Sequence, residues 1–234
     1  AQPFFLVFDD VTAELPADRL RDLTAPFAEL GIPVGFIVKS ATTSGAPVPA
    51  ADTVAGFLRQ FLNDNPGLGE IVAWAPELAE TEPYFQVRKA SAARDQVASF
   101  FAAASPGGPA LSRPLTIAGW DGMGSVKLDA VRAAGFRNLL LLSQKNDAST
   151  SETCMSATVC IRGSLRFPLS DAAYDIVPSL RAAIGTGDMI VLALSLDGLA
   201  RIPPDDLRLR AASLADTIAT EAQRQLYENF SLFI

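Results

Sequence analysis

Apolar residues fall into two kinds of block along this chain. Short uninterrupted runs are separated by longer stretches in which apolar residues recur every three or four positions. The first kind reads as strands buried on both faces, the second as amphipathic helices. The opening run, Phe4-Phe5-Leu6-Val7-Phe8, leads straight into Asp9 and Asp10. Pro16 to Leu30 predicts a helix: proline suits the first turn, Leu20, Leu23, Phe27 and Leu30 share a face, and Gly31 fits the residue just past the end. Ile32 to Val38 predicts a second strand, followed by a Ser/Thr/Gly/Pro loop from Ser40 to Ala50. Asp52 is placed to cap a helix carrying Val54, Phe57, Leu58, Phe61 and Leu62. Glu70 to Trp74 reads as the third strand, and an acidic loop runs from Pro76 to Pro83.

The second half repeats the alternation. Ser91 to Ala104 predicts a helix and Leu115 to Ala118 a strand. Val126 to Ala134 predicts a helix that Ser125 would cap, and Asn138 to Leu142 a strand. Residues 143–168 read as an excursion holding a hairpin with both cysteines. A helix capped by Ser170 follows to Ala183, then a strand from Met189 to Leu194, a long amphipathic helix from Pro204 to Leu226, and a docked tail from Phe230 to Ile234. No internal repeat is visible. Strands alternating with helices place the chain in the α/β class with a mostly parallel sheet. The pattern alone leaves open whether that sheet is a barrel or an open doubly wound sheet. The 234 residues read as one domain.

Composition narrows the chemistry. A net charge of −7 with no basic run argues against nucleic acid, whose binding requires neutralised phosphates. No apolar run approaches the ~18 residues of a spanning helix. Histidine is absent, which removes every His-based triad, base and metal ligand. Cys154 and Cys160 are the only cysteines. Six apart, they suit a disulfide closing a small hairpin in an oxidising compartment, or remain two thiols; alone they cannot complete a zinc site. The opening Ala1-Gln2-Pro3 resembles what signal-peptide cleavage leaves, or a boundary of another kind. Both features point to a periplasmic or extracellular location.

Candidate functional residues come from strand ends, because parallel strands deliver functional groups at their carboxyl ends. Asp9, Asp10, Glu77, Asp121 and Asp197 all fall at or just after such ends. Converged, they would make an oxygen-rich site for Ca²⁺ or Mg²⁺; otherwise they are solvated loop acids, with the Asp pair capping its loop. Trp74, Trp120 and Tyr84 lie near the same rim, where an indole face stacks on a sugar ring or packs into the core. Gly122-Met123-Gly124-Ser125 fails the dinucleotide fingerprint. Two other acid-pair families fit poorly. Haloacid-dehalogenase-type phosphatases need Asp-x-Asp, and response-regulator receivers need an Asp where this chain has Trp74-Ala75.

Phe8-Asp9-Asp10-Val11 resembles the first motif, Thr-Phe-Asp-Asp-Gly, of the polysaccharide deacetylases of the NodB-homology type (carbohydrate esterase family 4). Leu23 to Val38 resembles the helix and strand that follow that motif. Leu128 to Phe136 resembles the helix after the third motif, and Gly187 to Leu192 the strand bearing the last. The resemblance implies an irregular (β/α) barrel with a mostly parallel sheet. It puts Asp9 at the position of the family's general base and Asp10 at that of a metal ligand, in a family whose other two ligands are histidines. Ile71 to Glu80 holds no His, Ile117-Ala118-Gly119-Trp120-Asp121 lacks the third motif's Arg and Pro-Tyr, and Leu192-Ala193-Leu194 lacks the last motif's His. Asp10 is then the only family-matching ligand, and neither a metal nor another cofactor is expected. Two functions follow. In one the domain is a pseudoenzyme with a degenerate metal site that binds carbohydrate or handles envelope polysaccharide, using Asp10, Trp74, Glu77, Trp120, Asp121 and Asp197. In the other it is a deacetylase-type hydrolase with Asp9 as base and a non-His metal site.

Overall fold

A computed structural model describes residues 3–39, 53–104, 114–122, 124–144, 152–154, 159–169, 173–184, 189–225 and 228–229. The strands are β1 (Pro3–Val11), β2 (Val34–Val38), β3 (Gly69–Trp74), β4 (Thr116–Trp120), β5 (Asn138–Leu142), β6 (Glu152–Cys154), β7 (Val159–Arg162), β8 (Leu165–Pro168), β9 (Ile190–Ser195) and β10 (Glu228–Asn229). They form one sheet in the order β6-β7-β5-β4-β3-β2-β1-β9-β8, with β10 also on β1. Among the described residues every pairing is parallel except that of β6 with β7. The helices are α1 (Ala17–Glu29), α2 (Val54–Asp64), α3 (Pro83–Ala104), α4 (Leu128–Ala133), α5 (Ala173–Ala183) and α6 (Pro204–Gln225). They pack in the series α5-α6-α1-α2-α3-α4, following the strand order round the outside.

The sheet is an irregular barrel, and a two-residue link makes it one. β7 pairs with β5 near one end of the strand order, and β8 pairs with β9 at the other. Only Gly163 and Ser164 separate them, so three Cα steps, at most about 11 Å, span the gap between the two edges. Gly163 takes a φ of 90°, which a residue with a Cβ rarely adopts. Gly163 N–H donates to the Leu141 carbonyl, and Ser143 and Ser164 each donate a backbone N–H to the other's hydroxyl at 3.1 Å. The stretch expected as an excursion does contain the β6–β7 hairpin, but it also supplies the run that joins the barrel's edges. Cys154 and Cys160 face each other directly in the hairpin's register.

Alternation of side chains across each strand divides the core in two. Phe4, Leu6, Phe8, Val34, Phe36, Ile71, Ala73, Ile117, Leu139, Leu141, Leu192 and Leu194 face outward onto the helices. Phe5, Val7, Ile37, Val72, Ala118, Leu140, Ile161, Val191 and Ala193 fill the lumen. The barrel is therefore a packed core rather than a pore.

Several ends differ from expectation for local reasons. α1 stops as expected: Gly31 has φ 67°, and Gly31 N–H and Ile32 N–H bond to the Ala28 and Phe27 carbonyls, the pattern of a glycine stop. α2 is capped by Thr53, whose hydroxyl accepts from Gly56 N–H, rather than by Asp52. α4 starts at Leu128 after Lys127, so Ser125 is not its cap. α3 begins at Pro83, eight residues before the expected Ser91, because proline opens a helix readily. β4 runs two residues further, to Trp120. A Cβ at Gly119 would stand 2.5 Å from the Ala75 carbonyl oxygen, so the glycine that reads as loop is there for close packing. Ser170 and the tail 230–234 lie outside the described residues.

Candidate functional site

β1 does not end at its acid pair. It continues to Val11, and its register against β2 slips between Phe8 and Val11: Phe8 lies opposite Phe36 and Val11 opposite Val38. One extra residue on β1 makes a bulge. Asp10 adopts φ 63°, the sole described non-glycine residue with positive φ. Aspartate tolerates this conformation better than most residues, at a cost of about 1 kcal/mol. The bulge has a direct chemical result. Adjacent strand residues ordinarily point to opposite faces, yet here both carboxylates reach the same cation.

That cation is Lys39, the residue after β2. Its Nζ lies 2.9 Å from Asp9 Oδ1 and 2.6 Å from Asp10 Oδ1. Arg166, on β8, approaches the other side of the pair, with Nη2 3.4 Å from Asp9 Oδ2 and 3.9 Å from Asp10 Oδ2. Ser195 at the end of β9 donates its hydroxyl to Asp10 Oδ2 at 2.6 Å, and Asp10 N–H donates to Asp9 Oδ1 at 2.8 Å. Trp74 and Trp120 meet edge to face at 4.8 Å. Lys39 Nζ lies 4.1 Å from the Trp74 ring centre, and the Arg166 guanidinium 4.9 Å from that of Trp120.

Electrostatics follow from this packing. Asp9 is fully buried, while Asp10 is about a quarter exposed. Burial pushes the Asp10 carboxyl up, but hydrogen bonds from Lys39 and Ser195 and the charges of Lys39 and Arg166 more than offset it. The group is held below the usual carboxylate range. Two acids and two bases balance. Among the described residues, Arg166 Nε is buried without a hydrogen-bond partner.

Of the residues singled out from sequence, Asp9, Asp10, Trp74 and Trp120 come together. Asp121 sits one residue beyond Trp120 and pairs with Arg162 Nε at 3.3 Å. Glu77 pairs with Lys89 at 3.2 Å, both side chains exposed, and Asp197 is exposed, with its N–H 3.4 Å from Ser195 Oγ. Tyr84 is exposed against Phe85. The five acids therefore do not converge, and among the described residues no group of three metal-ligating side chains exists. Lys39, Arg166 and Ser195 were not anticipated. Lys39 carried the same signal as the acid pair, standing directly after an apolar strand run. Arg166 was concealed by the reading of its segment as an excursion.

The divalent metal that the family resemblance implies does not fit this donor set. There is no imidazole, both carboxylates already accept from an ammonium, and Asp10 also accepts from Ser195. Zinc needs three good protein ligands and an open position.

At the opposite end of the lumen lies a second polar cluster. Glu70, Thr116 and Asn138 stand at or near the starts of β3, β4 and β5, all buried. Asn138 Nδ2 donates to Thr116 Oγ1 at 3.1 Å, and Thr116 donates to Glu70 Oε1. Burial pushes Glu70 up to about 7, with the Thr116 hydrogen bond pulling only weakly the other way.

The fold and this mouth define an α/β barrel with a charge-balanced, tryptophan-lined site at the carboxyl ends of its strands. Comparisons with known proteins add the following. No protein-family model and no curated protein matches the sequence. Among solved structures, the chain is similar to a candidate polysaccharide deacetylase involved in O-antigen biosynthesis from Bordetella bronchiseptica. The identity is 14%, over 95% of this chain and 90% of that one, with a TM-score of 0.41. It is also similar to an aldolase from Escherichia coli K12, at 11% identity over 96% and 91%, TM-score 0.43. A rubisco-like protein from Alicyclobacillus acidocaldarius matches at 14% identity over 97% and 63%, TM-score 0.40. Three such different descriptions leave function to be argued from the site.

Proposed function

We propose that the barrel mouth is a carbohydrate-binding site in a deacetylase-like domain that does not use the family's metal-dependent hydrolysis. The observation that carries this reading is the gathering of Asp10, Ser195 and Trp120 around Lys39 and Arg166, the two cations that neutralise the acid pair. Carboxylate and hydroxyl oxygens accept from sugar hydroxyls, charge strengthens those bonds, and an indole packs on the apolar face of a sugar ring. A site with balanced charge favours neutral polyols over strongly charged ligands. Asp9 is a poor general base in this arrangement: it is fully buried and held by two cations, so no water reaches it.

The test is isothermal titration of purified protein against a panel of neutral oligosaccharides, with an acetyl-release assay alongside. Asp10→Asn is expected to weaken glycan binding by about 1–3 kcal/mol and Trp120→Ala by about 1 kcal/mol, with no acetate released. Acetate release that Asp9→Asn abolishes would establish the hydrolase instead.

We further propose that the domain works in an oxidising compartment and that Cys154 and Cys160 are bridged. Their cross-strand register suits it, since directly opposed Cα atoms lie about 4.5–5.5 Å apart, within disulfide reach. Unreduced, unfolded protein is expected to take up no alkylating reagent; uptake at two thiols would refute the bridge. Among the described residues, no helix is long and apolar enough to cross a membrane.

A further inference from the structure

We propose that Lys39 is the resident cation of the mouth, its ammonium standing where a divalent ion would otherwise bridge the acid pair. The inference concerns the cation alone and holds whatever ligand the mouth takes.

Four observations carry it. First, Nζ is shared between one oxygen of each carboxylate, at 2.9 and 2.6 Å, which is how a bridging ion sits. Second, an ammonium has three donors. Two meet Asp9 and Asp10, and the remaining side of the nitrogen meets the Trp74 ring at 4.1 Å. A hard divalent ion in that place would want six or more oxygens at about 2.0–2.6 Å, and would find an indole on one side. Third, charge is already closed: Lys39 and Arg166 balance Asp9 and Asp10, leaving no excess of negative charge to attract another cation. Fourth, the backbone is built to deliver the lysine. Lys39 N–H donates to the Val11 carbonyl at 2.9 Å, continuing the β1–β2 pairing past the bulge. The left-handed turn at Asp10 swings the second carboxylate onto the same nitrogen.

The consequence is a swap of identity at one position. Removing the ammonium should free the acid pair for a hard divalent cation, which would draw the rest of its oxygen ligands from water. The experiment titrates Mg²⁺, Ca²⁺, Mn²⁺ and Zn²⁺ into the wild-type protein and into Lys39→Met, following heat and thermal midpoint. The wild type is expected to show no stoichiometric site and no shift with chelator. Folded Lys39→Met is expected to bind Mn²⁺ or Ca²⁺ at least tenfold more tightly than wild type, and to be raised in midpoint by the ion. One tightly held divalent ion in the wild type, or a folded variant with no gain, would overturn the proposal. Should Lys39→Met fail to fold, the wild type supplies the decision. The ¹⁵Nζ proton signal of Lys39, slowed in exchange by its two carboxylates, is expected to persist unchanged at one equivalent of Mn²⁺. Paramagnetic loss of that signal would refute the idea. A loss of glycan binding with these cation results intact would count against the functional reading alone.

Discussion

Each end of the barrel lumen holds a buried carboxylate, and the two are stabilised by opposite means. At the mouth, Asp9 and Asp10 are met by Lys39 and Arg166, and Asp10 is held below the usual range. At the floor, among the described residues, Glu70 meets neutral partners, Thr116 and, through it, Asn138, and burial lifts it to about 7. Between them Val7, Val72, Ala118 and Leu140 form an apolar plug. The difference teaches that burial alone does not decide the charge of an acid. Burial raises Asp10 and Glu70 alike; only at Asp10 do cations reverse the sign. The mouth thereby keeps its charges available for hydrogen bonding, while the floor holds an acid that can be neutral and asks little of its surroundings.

The comparison can be broken most sharply at Lys39. Lys39→Met leaves Asp9, fully buried, with Arg166 as its remaining cation, and is expected to cost about 3–5 kcal/mol in chemical denaturation near neutral pH. A loss below 1 kcal/mol would mean that the mouth is as tolerant as the floor. Next in size is Glu70→Gln. Glu70 rises from 4.5 to about 7 on folding, so the folded state binds its proton more tightly than the unfolded state does. Stability from this group is full below about pH 4.5, falls as pH rises to about 7, and is level above. The span amounts to on the order of 3 kcal/mol. Glu70→Gln should remove that slope and be the more stable protein at pH 8; an unchanged slope would exclude Glu70 as its source.

Asp10 has the opposite sign. Its folded value is depressed, so its contribution is present above the unfolded value and is lost as pH falls through the folded one. Asp10→Asn should flatten the acid limb of the stability profile, with a neutral-pH loss of about 1–2 kcal/mol. The smallest effect is expected from Thr116→Val, which takes away Glu70's hydrogen-bond donor. About 1 kcal/mol should be lost at pH 8, where Glu70 is charged, and less at pH 5. Equal losses at both pH values would show that the threonine serves packing rather than the carboxylate.

Much of the scaffold was legible because its signals are local. The predicted strand 138–142 is β5 residue for residue, and the Leu20, Leu23, Phe27 stripe with Gly31 is α1 and its stop. The acid pair was legible for the same reason, standing at the end of an unbroken apolar run. Its partners were not, because they are distant in the chain: Lys39 lies 29 residues from Asp10, and Arg166 lies 157 from Asp9. The bulge that turns both carboxylates one way leaves no compositional trace, since Asp10 is an ordinary residue in an unusual conformation. Glu77 and Asp197 were chosen by position after a strand, and position does not say which way a loop side chain faces. Glu70 looked like a strand-opening residue, and only the packing of β3 beside β4 reveals its burial.

The place of β1 in the strand order also bears on how the chain comes to be folded. β1 precedes the other strands of the described sheet in the chain, and its two main neighbours are β2 and β9. Phe4 pairs across to Ile190, so that edge stays open until β9 has been made, long after β1. Contacts of such long sequence separation make for slow folding. Through that interval β1 offers bare backbone on one side to any other chain. A ribosome that stalls before Met189 would release not a smaller barrel but an unclosed sheet with an adhesive edge.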